Sequence, residues 1–116
     1  MPKCDLVRTY FRTTNMINKE VTVVRIYLTE GEKQLKTLMK RLRDWEKLRG
    51  LSVFRGISGY GEDGVIHGAD IVDLSLHLPI VVEFFDEEDK INNILERLSD
   101  QIKPGHMLKW SASTNT

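Results

Sequence analysis

The residues best suited to chemistry crowd into one stretch, LSVFRGISGYGEDGVIH, from Leu51 to His67. Gly56, Gly59, Gly61 and Gly64 follow a run of β-branched and aromatic residues. Small residues just after a strand let successive backbone N–H groups turn toward one anion. Arg55 adds a planar cation that can grip a phosphate through two donors. The glycines do not open a helix, so the pattern is not the dinucleotide fingerprint, and no P-loop lysine follows it. On their own, they equally suit a long flexible surface loop.

Metal chemistry has one first candidate, His67, with Asp63, Asp70 and Asp73 near it in sequence. Their spacing matches no ligand motif, and a site needs about three or four converging donors, so no metal is assigned. His77 and His106 stand alone. Cys4 is the single cysteine, which excludes an intramolecular disulfide and a multi-thiolate centre within one chain. No Ser-His-Asp or Cys-His arrangement has supporting context. The expectation is a protein that is not an enzyme.

The chain that must position these residues has 116 of them, 41% apolar and 29% charged, which fits one globular domain. No apolar run approaches the roughly 20 residues of a membrane span, and no signal segment opens the chain. The expected compartment is therefore the cytoplasm, without membrane insertion. Lys plus Arg equal Asp plus Glu at 17 each. Zero net charge argues against nucleic-acid binding, which needs a basic footprint. The charges are nevertheless segregated: residues 1–61 carry 13 basic and 6 acidic side chains, residues 62–100 carry 2 and 11. Solvated helix faces of opposite sign account for this. Complementarity between neighbouring copies is the sharper reading.

Residues 1–20 show no sustained period and read as a poorly ordered N-terminal arm ahead of a domain over 21–113. VTVVRIYLT, 21–29, is dense in β-branched residues and reads as a strand, with Arg25 expected near a strand end or an interface. Leu35, Leu38, Met39, Leu42, Trp45 and Leu48 give a helix over 32–48 its apolar stripe, which places Trp45 in the core. Gly50 is the expected stop. LSVFRGI, 51–57, is a second strand and 58–70 a long loop, while 71–78 stay open between strand and helical turn. IVVEFF, 80–85, is a strand entered through Pro79. Asp86 is expected to cap a helix with the stripe Ile91, Ile94, Leu95, Leu98 and Ile102, ended by Pro104 and Gly105. MLKWSA, 107–112, is a last strand before a fraying STNT tail, and Tyr27 and Trp110 fall in the core or an interface.

This order is α+β, the ferredoxin-like βαββαβ arrangement: one antiparallel sheet with two helices on one face. The other sheet face is left bare, and a partner subunit is its simplest cover.

LSVFRGISGYGEDGVIH, together with VRIYLTEGEK at 24–33 and LPIVVEFFDEEDKI at 78–91, resembles the PII-like family catalogued as domain of unknown function 190. The resemblance spans about residues 21–112 through three separated motifs in the right order. That family is related to the PII signal-transduction proteins. Those are trimers of ferredoxin-like subunits that bind adenine nucleotides between subunits and read them out through a long loop after the second strand. On this resemblance the ligand-binding residues are Thr29, Arg55, Gly56, Gly59, Tyr60 and Gly61. Gly61 is the glycine whose backbone approaches the phosphates, and Tyr60 stands where PII has Phe. Glu62, Asp63, Gly64 and His67 fall in the part that contacts a partner. Two departures stand out: Asp63 replaces a PII Gln, and the second nucleotide motif is reduced to Lys103-Pro104-Gly105.

The resemblance implies a homotrimeric, PII-like regulatory module. A small anionic ligand, an adenine nucleotide before any other, would order residues 59–70 against an unidentified target protein. The alternative is a metal-sensing or metal-handling trimer with His67 as its first ligand. An acyl-phosphate hydrolase of this shape needs a glycine-rich phosphate loop with its arginine near the first strand, which the chain lacks. An RNA-binding module needs paired aromatics on the central strands, and these are not evident.

Overall fold

The structure, a computed structural model, describes residues 18–29, 31–66 and 78–115. Its elements in order are β1 (Lys19–Leu28), α1 (Gly31–Asp44), β2 (Ser52–Arg55), β3 (Ile80–Asp86), α2 (Glu88–Leu98) and β4 (Met107–Thr114). Every strand pairing is antiparallel, and the sheet order is β2-β3-β1-β4. The βαββαβ, ferredoxin-like expectation is met.

Alternation along the strands separates two faces. Val24 and Ile26 of β1 lie opposite Phe84 and Val82 of β3. These side chains are buried with Leu35, Leu38 and Leu42 of α1 and Ile91, Ile94 and Leu98 of α2. Both helices therefore cover the same face, and each fully buried side chain of this kind contributes roughly 1.5–3 kcal/mol. Among the described residues, no helix or strand covers the opposite face. Tyr27, Phe54, Phe85, Leu108 and Trp110 are there, between 37% and 56% exposed. Arg25 lies among them in mid-strand, its guanidinium 5.5 Å from the Trp110 ring centre and its Nη2 2.6 Å from Glu83 Oε1.

Several boundaries differ from the sequence reading. β2 spans Ser52–Arg55 rather than 51–57, and α2 ends at Leu98 rather than running to a stop at Pro104 and Gly105. β1 starts at Lys19, inside the expected arm, and β4 runs to Thr114, where fraying was expected. The two extensions share one cause, since Lys19 and Glu20 pair with Thr114 and Ser113. α1 ends at Asp44, so Trp45 leaves the stripe and is 76% exposed. The chain turns there through Lys47 at φ 56°, with the Leu48 N–H donating to Leu42 O at 3.0 Å. The left-handed residue is thus Lys47 and not Gly50; this turn swings Leu48 back into the core and Trp45 out to solvent. Asp86 stays in β3 and Glu87 takes the N-cap position without a side-chain cap. Asp86 instead accepts from the Glu87 N–H at 2.8 Å and pairs with Lys90 at 3.1 Å. Residues 1–17 of the arm and 71–77 of the ambiguous segment lie outside the described residues.

Candidate functional site

The sheet order brings sequence-distant segments to one end of the fold. The end of β1 supplies Tyr27, Leu28 and Thr29, and the loop after β2 supplies Tyr60 to Asp63. Pro79 comes from the approach to β3, and Lys103, Gly105 and His106 from the turn before β4. Together they line a cleft of about 590 Å³, within the range of roughly 300–1,000 Å³ typical of small-molecule sites.

Backbone hydrogen bonds hold each wall. The Tyr27 N–H donates to His106 O at 2.8 Å, because β1 and β4 are neighbours. The His106 N–H donates to Lys103 O at 3.1 Å, closing a turn with Gly105 at φ 84°. That φ is left-handed and suits glycine. On the facing wall the Gly64 N–H donates to Gly61 O at 2.9 Å, so Glu62 and Asp63 form the corners of a turn. Asp63 Oδ1 steadies it by accepting from the Val65 N–H at 3.0 Å, a common turn role for Asp. Lys103 Nζ donates to Glu62 Oε2 at 3.1 Å and so bridges the two walls. Thr29 is fixed through its N–H, which donates to Gln34 Oε1 at 3.0 Å.

Of the expected ligand-binding residues, Thr29, Tyr60 and Gly61 line this cleft, joined by Glu62 and Asp63 from the expected partner-contact set. Arg55, Gly56, Gly59 and Gly64 are not among the lining residues. Arg55 is ion-paired with Glu32. Gly56 and Gly59 pack on Pro79: a Cβ would fall 2.5 Å from the ring Cγ at Gly56 and 3.0 Å at Gly59. A Cβ on Gly61 would meet nothing within 4 Å, so the fold itself does not require glycine there. His67 lies outside the described residues. Among the described residues, no group of three or more His, Cys, Asp or Glu could hold a metal ion.

Tyr27, Pro79, Lys103, Gly105 and His106 are cleft residues that the sequence reading did not name as site residues. The signal was present in Lys103-Pro104-Gly105, a Pro-Gly turn directly ahead of the last strand. Its relevance depends on β4 pairing beside β1, which delivers that turn to Thr29. Electrostatically the lining holds one strong cation, Lys103, against Glu62 and Asp63. On the open sheet face, the Glu83 hydrogen bond and then the Tyr27 hydrogen bond push the Arg25 guanidinium further above its usual pKa.

No helix among the described residues is long and apolar enough to cross a membrane. The model of the DUF190 family, described as "Uncharacterized ACR", matches residues 21–113. A UPF0166 protein of Methanocaldococcus jannaschii is 41% identical over 86 residues, 70% of this chain and 78% of that protein. A UPF0166 protein of Aquifex aeolicus is 33% identical over 85 residues, 73% of this chain and 85% of that one. Among solved structures, CPII of Thiomonas intermedia bound to ADP and bicarbonate superposes with a TM-score of 0.61 at 13% identity, covering 87% of this chain and 92% of that chain. CPII is described as a nitrogen regulatory PII-like protein. A Thermus thermophilus chain assigned as a PII-like signalling protein superposes with a TM-score of 0.59 at 17% identity, covering 87% and 93%. The fold is PII-like, and the match across residues 21–113 places the chain in the DUF190 family.

Proposed function

We propose that this protein is a non-enzymatic PII-like regulator that binds a small anionic ligand, an adenine nucleotide first, and passes that occupancy to a target protein. The observation that carries the reading is the cleft itself. Tyr60-Gly61 and Lys103-Pro104-Gly105, the two segments singled out by resemblance to PII nucleotide motifs, meet there although they are some forty residues apart in sequence. Gly61 presents an open backbone to the cleft, and a phosphate can approach such a backbone more closely than any side chain permits. Lys103 supplies charge, provided the anion displaces Glu62 from it. That exchange would free the turn at Gly61–Gly64 and alter the loop beyond it, which is how an order–disorder switch reads a ligand.

Among the described residues, one chain brings a single Lys to the cleft against two carboxylates, too little positive charge for a polyphosphate. A neighbouring subunit is the natural source of the rest, and the open sheet face supports assembly. An exposed face bearing Phe54, Phe85, Leu108 and Trp110 has the character of an interface core rather than a solvated surface. The proposed assembly is a homotrimer, as in PII proteins.

Sedimentation equilibrium combined with a thermal-shift screen tests this reading. The screen covers adenine nucleotides, inorganic phosphate and divalent metals. A trimer is expected, with a shift by a nucleotide. Saturation at 100 times Kd adds about 2.7 kcal/mol. A monomer across micromolar concentrations, or a shift by a divalent metal and by no nucleotide, contradicts the proposal.

A further inference from the structure

α1 carries a surface that the cleft does not use. Its inward stripe, Leu35, Leu38 and Leu42, is buried. Lys33, Lys36, Lys40 and Arg43 recur at spacings of three and four along the other side and form one cationic row. This row borders a groove of about 480 Å³ between α1 and the segment entering β2. Lys36, Lys40, Arg43 and Arg49 make its rim, and no carboxylate among the described residues lines it. Met39, Leu48 and Leu51 supply apolar surface between the cations.

The carboxylates of α1 and of the turn after it are engaged in ion pairs. Glu32 pairs with Arg55 and Glu46 with Arg97, leaving only Asp44 to neutralise Arg43. Lys36, Lys40 and Arg49 make no hydrogen bond or ion pair among the described residues, although the Lys40 charge acts on Asp44 and the Arg49 charge on Asp86 and Glu87 from a distance. Like charges one turn apart on a helix repel each other. An anionic partner relieves that repulsion.

We propose that this groove docks an acidic segment of another protein. An apolar side chain would rest on Met39 and Leu51 while flanking carboxylates meet Lys36, Lys40 and Arg49. The concave shape and apolar floor favour a peptide over a flat lipid surface, and a nucleic acid backbone has no group for that floor. The chain's own N-terminal segment is excluded by its charge, since residues 1–17 hold Lys3, Arg8 and Arg12 against Asp5 alone. The groove shares no residue with the ligand cleft, so this docking surface goes beyond the nucleotide reading and can fail separately from it.

Fluorescence anisotropy on the full chain tests the assignment. The probe is a short labelled peptide with Glu residues flanking a Leu-Leu pair, and its control carries Gln for every Glu. Saturable binding is expected for the Glu peptide alone. It should weaken about tenfold or more in the Lys36→Glu/Lys40→Glu variant, and also fall as salt rises, because exposed charge contacts are screened within about 8 Å at physiological ionic strength. Met39→Ala, which leaves every charge in place, should weaken it about threefold, and it serves as the readout if the double variant does not fold. Gly61→Val should leave it unchanged. The proposal is overturned if the Gln peptide binds equally well, if no peptide binds, or if the variants bind as tightly as the parent. It is also overturned if the protein instead sediments with phosphatidylserine vesicles through Lys36 and Lys40.

Discussion

Replacing Gly56 by Ala probes how the loop base is anchored. The Gly56 N–H donates to Pro79 O at 2.7 Å, carrying the β2–β3 contact one residue past Arg55. A Cβ at Gly56 would lie 2.5 Å from Pro79 Cγ, whereas carbon atoms normally approach to roughly 3.5–4.0 Å. The proline ring has its φ fixed and cannot swing aside as a flexible side chain would. Relief must come from moving the end of β2 away from β3, which stretches the hydrogen bond. Overpacking of this kind costs about 1–3 kcal/mol, offset by about 0.4–1 kcal/mol because Ala narrows the unfolded ensemble. A net loss of about 1–2 kcal/mol corresponds to a Tm drop of about 4–8 °C at this chain size. Gly61→Ala is the control: its Cβ meets nothing within 4 Å, so stability should stay within about 0.5 kcal/mol. Thermal and urea unfolding followed by circular dichroism measure both, at one protein concentration because assembly makes Tm concentration-dependent. A Gly56→Ala protein as stable as the parent, or an equal loss in Gly61→Ala, refutes the reasoning.

Three further outcomes follow from the same structure. Partial burial pushes the Asp86 carboxyl up, but the Glu87 N–H hydrogen bond and the Lys90 and Arg49 charges outweigh it and hold the pKa below the ordinary value. A carboxylate lowered in the folded state adds stability above its unfolded pKa of about 4 and loses it as pH falls through the folded value. Asp86→Asn should therefore cost about 1 kcal/mol at pH 7 and much less at pH 3 in paired urea melts. Lys47→Gly should raise stability by about 0.5–1 kcal/mol, because Lys47 holds φ 56° at the end of α1, where a Cβ is disfavoured; a thermal melt reads it. Phe85→Lys, at a side chain 56% exposed in the single chain, should abolish assembly in sedimentation while leaving the far-UV spectrum intact.

Much of the fold could be read from local pattern, because buried strands and amphipathic helices announce themselves through period. Val24 and Ile26, like Leu35, Leu38 and Leu42, fell where that pattern put them. Trp45 did not, because extending the stripe assumed a helix that continues, and nothing in the spacing marks Lys47 as the residue that turns left-handed. Tyr60 and Gly61 were named through the resemblance of the Leu51–Gly61 segment to PII, because a glycine-aromatic-glycine run after a strand suits a flexible loop equally well. Lys103 and His106 reach the same cleft only through the pairing of β4 with β1, a fact of topology that no window of sequence contains. The Arg55–Glu32 pair joins the end of β2 to the start of α1, so the partner of that guanidinium was likewise invisible to local reading.

Titration calorimetry of ADP into the parent and into Gly61→Val tests the central proposal most directly. The parent should give saturable heat with one site per subunit. Gly61→Val should bind at least about tenfold more weakly, a loss of about 1.4 kcal/mol, with unchanged melting and sedimentation, because the valine projects into open cleft space rather than into the fold. No heat up to millimolar ADP, or the same affinity in both proteins, would contradict the assignment of this cleft as the ligand site.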